Sequence, residues 1–150
     1  MDLSSFESVI QFAIKREEEA IKGYSDMSEI AKEPGLKKLL LELKKEEENH
    51  KKLLQGLSKK EIETYEDQQV EDLKISDYLV EEPLDEEMNF QDLLVFAAKK
   101  EQKAVELYSG LACMMKDPEL KKLFEFMVEQ EKSHKLKLET EYEKHVMEWD

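Results

Sequence analysis

Two short stretches of the sequence carry carboxylate and imidazole side chains at the same spacing. Glu47 is followed three residues later by His50, and Glu131 is followed three residues later by His134. A further glutamate precedes each pair by 30 residues, at position 17 before 47 and at position 101 before 131. Residues three apart on a helix share a face, so each pair can present both ligand types to one space. The six candidate metal ligands are Glu17, Glu47, His50, Glu101, Glu131 and His134.

Four carboxylates and two imidazoles form the ligand set of a carboxylate-bridged site for two metal ions. Four ionised carboxylates cannot remain unpaired in a core, because desolvating each of them costs several kcal/mol. Two divalent cations balance their charge. Mixed carboxylate and imidazole ligands suit iron, manganese or zinc, and open coordination positions favour a redox-active metal. We therefore predict two iron ions, Fe²⁺ or Fe³⁺, with Mn or Zn as substitutes.

The apolar residues around these ligands recur at steps of three and four, which predicts four amphipathic helices. The predicted helices span about 4–31, 36–57, 90–115 and 120–146. Glu33-Pro34-Gly35 and Asp117-Pro118 interrupt the pattern, because proline disfavours helical geometry in the preceding residue and suits the first position of a new helix. Each interruption predicts a short turn between two antiparallel helices. Asn89 is the predicted N-cap of the third helix.

The distances from the turns bring the ligands together. Glu17 lies about sixteen residues before the first turn, and Glu47 and His50 lie about fourteen and seventeen residues after it. At 1.5 Å per residue all three reach one level, roughly 24 Å from the turn and near the middle of a bundle. The second pair of helices repeats these distances around position 117.

The two halves align without a gap from Phe12 and Phe96 onward, which predicts an internal repeat with a twofold axis through the site. The alignment also pairs Tyr24 with Tyr108, each seven residues after a ligand glutamate and on the same helix face. These tyrosines either pack in the core with satisfied hydroxyls or support the ligands and relay electrons. We name both as candidate catalytic residues.

Residues 58–89 do not follow the helical rhythm. They are acidic, contain Pro83 near their end, and begin with Ser58-Lys59-Lys60-Glu61, which resembles a capping box. A connection of this length suits bundles that return along their own length before the second hairpin. The prediction is one all-α domain over 1–150, a ferritin-like four-helix bundle of two repeated hairpins (about 4–57 and 90–147) joined by a long crossover (about 58–89).

Composition excludes several classes of protein. The formal net charge of −14 argues against nucleic acid or an anionic membrane surface as a partner, and it attracts cations such as Fe²⁺. Cys113 is the single cysteine, so neither a disulfide framework nor a Cys-x-x-Cys centre can form. Because no signal peptide, lipidation motif or apolar run of membrane-spanning length occurs, we expect a cytoplasmic protein.

Other residues are assigned ordinary packing or surface roles. Cys113 is expected to pack, and His145 is expected at the surface or a helix end, because it lies eleven residues after His134. Phe6 and Trp149 are expected to be exposed apolar residues, which favours a homo-oligomer and in particular a dimer. The methionines expected to fill the core are Met114, Met115 and Met127.

The pattern Ala13-Ile14-Lys15-Arg16-Glu17-Glu18-Glu19-Ala20 with Tyr24, then Glu47-x-x-His50, and the second copy of both, resembles the di-iron domain of rubrerythrin-like members of the ferritin-like superfamily. The resemblance covers nearly the whole chain. It implies terminal carboxylates at Glu17 and Glu101, bridging carboxylates at Glu47 and Glu131, and terminal nitrogen ligands at His50 and His134. It also implies reduction of hydrogen peroxide with electrons from rubredoxin.

The chain departs from this family in two respects. Many rubrerythrins carry an additional glutamate one turn after the third-helix ligand, where this chain has Ala104, and this weakens peroxidase specialisation. The C-terminal rubredoxin domain with its paired Cys-x-x-Cys motifs is missing, so an electron donor must be a separate protein. Bacterioferritin shares the ligand set, but its haem-binding methionine is replaced here by Glu48 and Lys132.

The ligand set and the resemblance leave three functions open. The first is a non-haem di-iron oxidoreductase that reduces hydrogen peroxide or dioxygen with electrons from an external donor such as rubredoxin. The second is a ferroxidase in iron storage or detoxification, in which iron is the substrate. The third is a non-catalytic metal-binding bundle that holds, for example, Zn²⁺.

Overall fold

The computed structural model describes residues 6–57, 84, 85 and 87–148. Four α-helices account for almost all of them, and no strand occurs in these ranges. The helices are α1 (Phe6–Ile30), α2 (Pro34–Gln55), α3 (Phe90–Met114) and α4 (Pro118–Glu148). The predicted all-α, four-helix architecture is confirmed, and each helix begins and ends within about two residues of its apolar stripe.

The helix ends follow the predicted local chemistry. Glu33 has extended backbone angles, φ −81° and ψ 123°, and Pro34 then begins α2. The side chain of Asn89 accepts a hydrogen bond of 2.9 Å from the backbone N–H of Asp92, at the start of α3. Asp92 accepts in return from the N–H of Asn89, which completes a capping box. Gly56 follows the last residue of α2.

The helices pair as two hairpins, α1 with α2 and α3 with α4. The hairpins bury two apolar clusters against each other. The first apolar cluster joins the start of α1, the end of α2, the end of α3 and the start of α4, with Ile10, Leu54, Leu111 and Phe124 as members. The second joins the opposite ends of the same helices, with Met27, Leu40, Leu94 and Leu138 as members.

Cluster membership fixes the direction of the helices. Because α2 ends at the first cluster and α3 begins at the second, these two helices run in the same direction. Leu57 packs on the first cluster and Leu84 on the second, so these two residues lie at opposite ends of the bundle. The parallel α2 and α3 account for the length of the predicted crossover. The predicted capping box at Ser58 lies outside the described residues.

The methionine predictions hold, whereas the cysteine prediction is wrong. Met115 and Met127 are buried in the first apolar cluster, and Met114 packs at its edge. Cys113 is a free, exposed thiol rather than a packing residue. On α3, Cys113 lies between the buried Ala112 and the half-buried Met114. It is outside the apolar stripe by which α3 packs against the other helices.

No helix in the described ranges is both long and apolar enough to cross a membrane. Other predictions concern side chains that the structure does not describe. They are the exposure of Phe6 and Trp149 and the placement of His145.

Candidate metal centre

The six predicted ligands lie together in a polar layer between the two apolar clusters. Each of them occupies a position in the buried stripe of its helix, where an apolar residue would normally pack. None of the six is more than 2% exposed. A layer of four carboxylates and two imidazoles in the middle of a bundle is not a packing device, because it removes these groups from water without an apolar gain.

The ligand atoms form two overlapping groups. Glu17, Glu47, His50 and Glu131 place their ligand atoms within 4.8 Å of one another, and so do Glu47, Glu101, Glu131 and His134. Glu47 and Glu131 belong to both groups. The geometry therefore offers two adjacent cation positions that have two carboxylates in common and one terminal carboxylate and one imidazole each.

Both imidazoles turn the same nitrogen toward the shared carboxylates. The Nδ1 atom of His50 lies 3.0 Å from Oε1 of Glu131, and the Nδ1 atom of His134 lies 3.0 Å from Oε1 of Glu47. The two rings are stacked, with centroids 5.7 Å apart and planes inclined by 10°. Each Nδ1 atom therefore lies close to the carboxylate that the other hairpin contributes.

The tyrosines also make equivalent contacts across the two hairpins. The hydroxyl of Tyr24 on α1 donates to Oε1 of Glu101 on α3, and the hydroxyl of Tyr108 on α3 donates to Oε1 of Glu17 on α1. Burial, followed by the charge of the glutamate that each contacts, raises the pKa of both phenols well above the ordinary value. Both hydroxyls therefore keep their protons and fix one oxygen of each terminal carboxylate.

Arg16 belongs to the site, although it was not among the predicted site residues. Its Nη1 atom lies 2.6 Å from Oε2 of Glu47, 3.1 Å from Oε1 of Glu17 and 3.1 Å from Oε2 of Glu131. Its Nη2 atom lies 3.8 Å from Oε1 of Glu101. One guanidinium thus contacts carboxylates from all four helices. The available signal was that Arg16 is the only arginine among 23 basic residues and directly precedes a ligand.

Glu46 is a second site residue that the sequence pattern did not predict. Its Oε2 atom lies 2.5 Å from Nε2 of His134, on the side of the ring that faces away from the shared carboxylates. Its Oε1 atom lies 3.8 Å from Nζ of Lys137. The residue 84 positions later, which corresponds to Glu46 in the second half, is Gln130. The two halves therefore differ in the residue type placed next to a ligand.

The carboxylates do not share one protonation behaviour. Burial, together with the charge of a neighbouring carboxylate, raises the pKa of Glu17 and Glu131 well above the ordinary value. Burial acts in the same direction on Glu47, but the charge of Arg16 outweighs it and holds the pKa of Glu47 well below the ordinary value. Protons and one guanidinium together offset the charge of the carboxylates in this arrangement.

The two histidines also differ. Burial lowers the pKa of His50 below the ordinary value. Burial acts in the same direction on His134, but the nearby carboxylates of Glu101 and Glu47 outweigh it and raise the pKa of His134 to about 10. His134 therefore carries a proton at neutral pH in this arrangement, and a cation that binds its Nδ1 atom has to displace that proton.

The inward-facing ligand atoms fit a pair of metal ions. Within the part of the chain that the structure describes, each ligand has an inward-facing atom that is buried without a hydrogen bond of acceptable geometry. These inward-facing atoms are Oε2 of Glu17, Oε1 of Glu47, Nδ1 of His50, Oε2 of Glu101, Oε1 of Glu131 and Nδ1 of His134; Oε2 of Glu131 and Nε2 of His134 also lack such a bond. A buried polar atom without a partner costs about 1–3 kcal/mol, and two bound cations would satisfy all six.

Comparison with known proteins agrees with the fold and gives a family. The sequence profile described as Rubrerythrin matches residues 8–142. A hypothetical protein from Pyrococcus furiosus has a similar structure, with a TM-score of 0.73, 27% identity, and coverage of 97% of this chain and 92% of that chain. A "putative ferritin-like diiron-carboxylate protein" from Thermotoga maritima has a TM-score of 0.70 and 22% identity, with coverage of 93% of this chain and 95% of that chain. No curated protein matches the chain.

Proposed function

The chain belongs to the rubrerythrin family, and we propose that it is a non-haem di-iron oxidoreductase that reduces hydrogen peroxide or dioxygen with electrons from an external donor. One observation carries this proposal. The two groups of ligand atoms share Glu47 and Glu131, so the site can hold two cations side by side rather than one. A pair of adjacent redox-active ions can supply, one from each ion, the two electrons that reduction of an O–O bond requires.

The negative charge of the site supports binding of two divalent ions. Two divalent cations balance the four buried carboxylates, whereas a single divalent cation leaves an excess of negative charge in a layer removed from water. Iron is the proposed metal because the ligand set is mixed carboxylate and imidazole. The Thermotoga maritima structure, whose description names a diiron-carboxylate protein, supports the same choice.

A bound ferrous pair supplies two electrons, one from each ion, which together with two protons convert hydrogen peroxide to two waters. The residues of the chain position the ligands for this reaction. Tyr24 and Tyr108 each hold one oxygen of a terminal carboxylate, which leaves the other oxygen directed into the site. The apolar clusters on both sides of the polar layer limit the access of water.

The proposed reaction needs a source of electrons. The single cysteine in these 150 residues, Cys113, is exposed and cannot by itself form an iron centre with several cysteine ligands, so we propose a separate donor such as rubredoxin. We also propose a homo-oligomer, with a dimer favoured. Large apolar side chains that are exposed on the described helices support an interface between copies, namely Leu41, Leu53, Val95, Phe126 and Leu136.

A ferroxidase is the second candidate, and Ala104 favours it. Ala104 is buried one turn after Glu101, where many rubrerythrins have an additional glutamate, so α3 offers no further carboxylate at this point. The net charge of −14 would also draw Fe²⁺ toward the protein. In this function Fe²⁺ is the substrate, and it leaves the site after oxidation.

Anaerobic reconstitution with Fe²⁺ tests the proposal. The bound iron is counted, and single-turnover oxidation is then followed separately with hydrogen peroxide and with dioxygen. We expect two irons per chain that react faster with peroxide than with dioxygen and are reduced again by rubredoxin. Continued uptake of many irons with dioxygen would support the ferroxidase instead, and bound metal without any oxidation would leave a non-catalytic metal-binding bundle.

A further inference from the structure

Arg16 occupies the centre of the ligand cluster, and we propose that it is an internal counter-cation that two metal ions must displace. In this proposal the guanidinium holds the four carboxylates together before metal binds, and its withdrawal sets the metal affinity of the site. The inference rests on the proposed function, because it concerns the same centre.

The contacts place Arg16 on the carboxylates that both metal positions need. Its Nη1 atom lies 2.6 Å from Oε2 of Glu47 and 3.1 Å from Oε2 of Glu131, the two residues common to both ligand groups. The side chain is 15% exposed, so most of it lies inside the bundle. A guanidinium that is buried among several carboxylates is a strong, charge-assisted partner for all of them.

Arg16 and two metal ions cannot use these carboxylates together. A guanidinium has five N–H donors and no lone pair, so it cannot become a ligand itself. For Glu47 and Glu131 to bridge both positions, each must give one oxygen to each ion, and Nη1 of Arg16 lies 2.6 Å and 3.1 Å from their Oε2 atoms. An ion bound to Oε2 would lie about 2.0–2.2 Å from it, as for a first-row ion such as zinc, in the space that Nη1 occupies. Two divalent cations plus Arg16 would also exceed the charge of four carboxylates. Full occupancy therefore requires Arg16 to leave.

The equivalent residue in the second half does not behave in this way. Position 100, 84 residues after position 16, is Lys100, and its Nζ atom lies 4.7 Å from the centre of the Phe96 ring. Lys100 is a cation on the adjacent helix that also directly precedes a ligand. It therefore provides a matched control for the loss of one positive charge beside the site.

The proposal predicts opposite effects in the absence and in the presence of metal. Removing the Arg16 charge takes away the one side chain that contacts all four carboxylates, so protein stripped of metal should lose stability. The same change removes the cost of displacement, so metal should bind more tightly. A residue that only supports the fold would weaken both properties together.

Titration with Co²⁺ alone, in the absence of oxygen, tests the proposal on chelator-treated protein. Wild type, Arg16→Gln, Arg16→Lys and Lys100→Gln are compared by the visible absorption of bound Co²⁺ and by thermal unfolding without metal. We expect Arg16→Gln to bind two Co²⁺ at least about tenfold more tightly than wild type, and to unfold at a lower temperature without metal. Lys100→Gln should match wild type in both measurements.

Arg16→Lys covers the case in which Arg16→Gln does not fold without metal. Lysine keeps the positive charge but lacks the planar set of N–H donors of the guanidinium, so it should contact fewer carboxylates. The Arg16→Lys variant should therefore bind Co²⁺ more tightly than wild type. Equal or weaker Co²⁺ binding by the folded variant, while wild type binds two ions, would overturn the proposal for Arg16 alone. Failure of wild type to bind Co²⁺ would instead overturn the proposed function, and the displacement with it.

Discussion

The hydroxyl of Tyr108 on α3 donates a hydrogen bond to Oε1 of Glu17 on α1, across the interface between the two hairpins. The equivalent contact runs in the opposite direction, from Tyr24 on α1 to Glu101 on α3. These two bonds connect each hairpin to a terminal carboxylate of the other. The tyrosines are therefore part of both the fold and the site. The two roles considered for them, packing with a satisfied hydroxyl and support of a ligand, depend on the same hydrogen bond.

Tyr108→Phe separates these roles. The substitution keeps the ring in the first apolar cluster and removes only the hydroxyl, which leaves Arg16 as the remaining donor to Oε1 of Glu17. We expect the free energy of unfolding to fall by about 1–3 kcal/mol, as measured by urea denaturation of chelator-treated protein. We also expect the reconstituted variant to bind two irons but to be reduced more slowly after oxidation.

Tyr142→Phe is the matched control for this experiment. Tyr142 is a partly buried tyrosine on α4 that packs against the second apolar cluster, eight residues beyond His134. This change should leave the rate of reduction unchanged. A Tyr108→Phe variant that is reduced as fast as wild type would leave the hydroxyl with a purely structural role.

Loss of the shared carboxylates should reduce iron binding more than loss of a terminal carboxylate. Glu47 and Glu131 belong to both groups of ligand atoms, whereas Glu17 belongs to one. We therefore expect Glu47→Ala/Glu131→Ala to bind no iron tightly, and Glu17→Ala to retain about one ion per chain. The measurement is the iron content after anaerobic reconstitution and gel filtration.

Glu42→Ala/Glu125→Ala is a suitable control for the double variant, because both residues are exposed glutamates on the same two helices. It removes the same number of charges and should bind two irons. Retention of two tightly bound irons by Glu47→Ala/Glu131→Ala would contradict the assignment of the site.

The sequence was sufficient to predict the fold and the placement of the six candidate ligands in one layer, because both depend on the same pattern. Apolar steps of three and four define the buried face of each helix, and Glu17 or His134 can be recognised as a candidate because it interrupts that face. Arg16 and Glu46 lie beside the stripe instead of in it. A charged residue at such a position is normally solvated, and only the packing of the four helices shows that these side chains turn inward.

Cys113 shows the opposite error of prediction, since a residue expected to be buried is exposed. Its residue type predicts burial, because free cysteine is among the most buried residue types. Its position on α3 places it outside the contact with the other helices, and it is exposed. The burial of a residue in this helix therefore depends on its position relative to the apolar stripe, and residue type alone does not predict it.

Metal binding should release protons at neutral pH. The pKa of His134 is about 10, so this group holds a proton at neutral pH that a metal ion must displace, and the raised pKa values of Glu17 and Glu131 act in the same direction. A raised pKa means that the proton is lost only at higher pH, so metal affinity should rise as the pH increases. A pH indicator in weakly buffered Zn²⁺ titrations measures the release, and an affinity that is constant or falls from about pH 6 to 8 would contradict it.

Glu46, which contacts His134, should make the two metal positions differ in affinity. Glu46 lies 2.5 Å from Nε2 of His134 and can orient the ring and increase its basicity, whereas the corresponding residue in the other half is Gln130. We expect Glu46→Gln to weaken one of two Co²⁺ binding events by about 10–100-fold and to leave the other unchanged, as resolved by absorption titration. Glu42→Gln, one turn earlier on α2 and exposed, should bind both ions like wild type. Equal weakening of both events by Glu46→Gln would mean that Glu46 acts on the whole cluster through charge and not on His134 through its ring nitrogen.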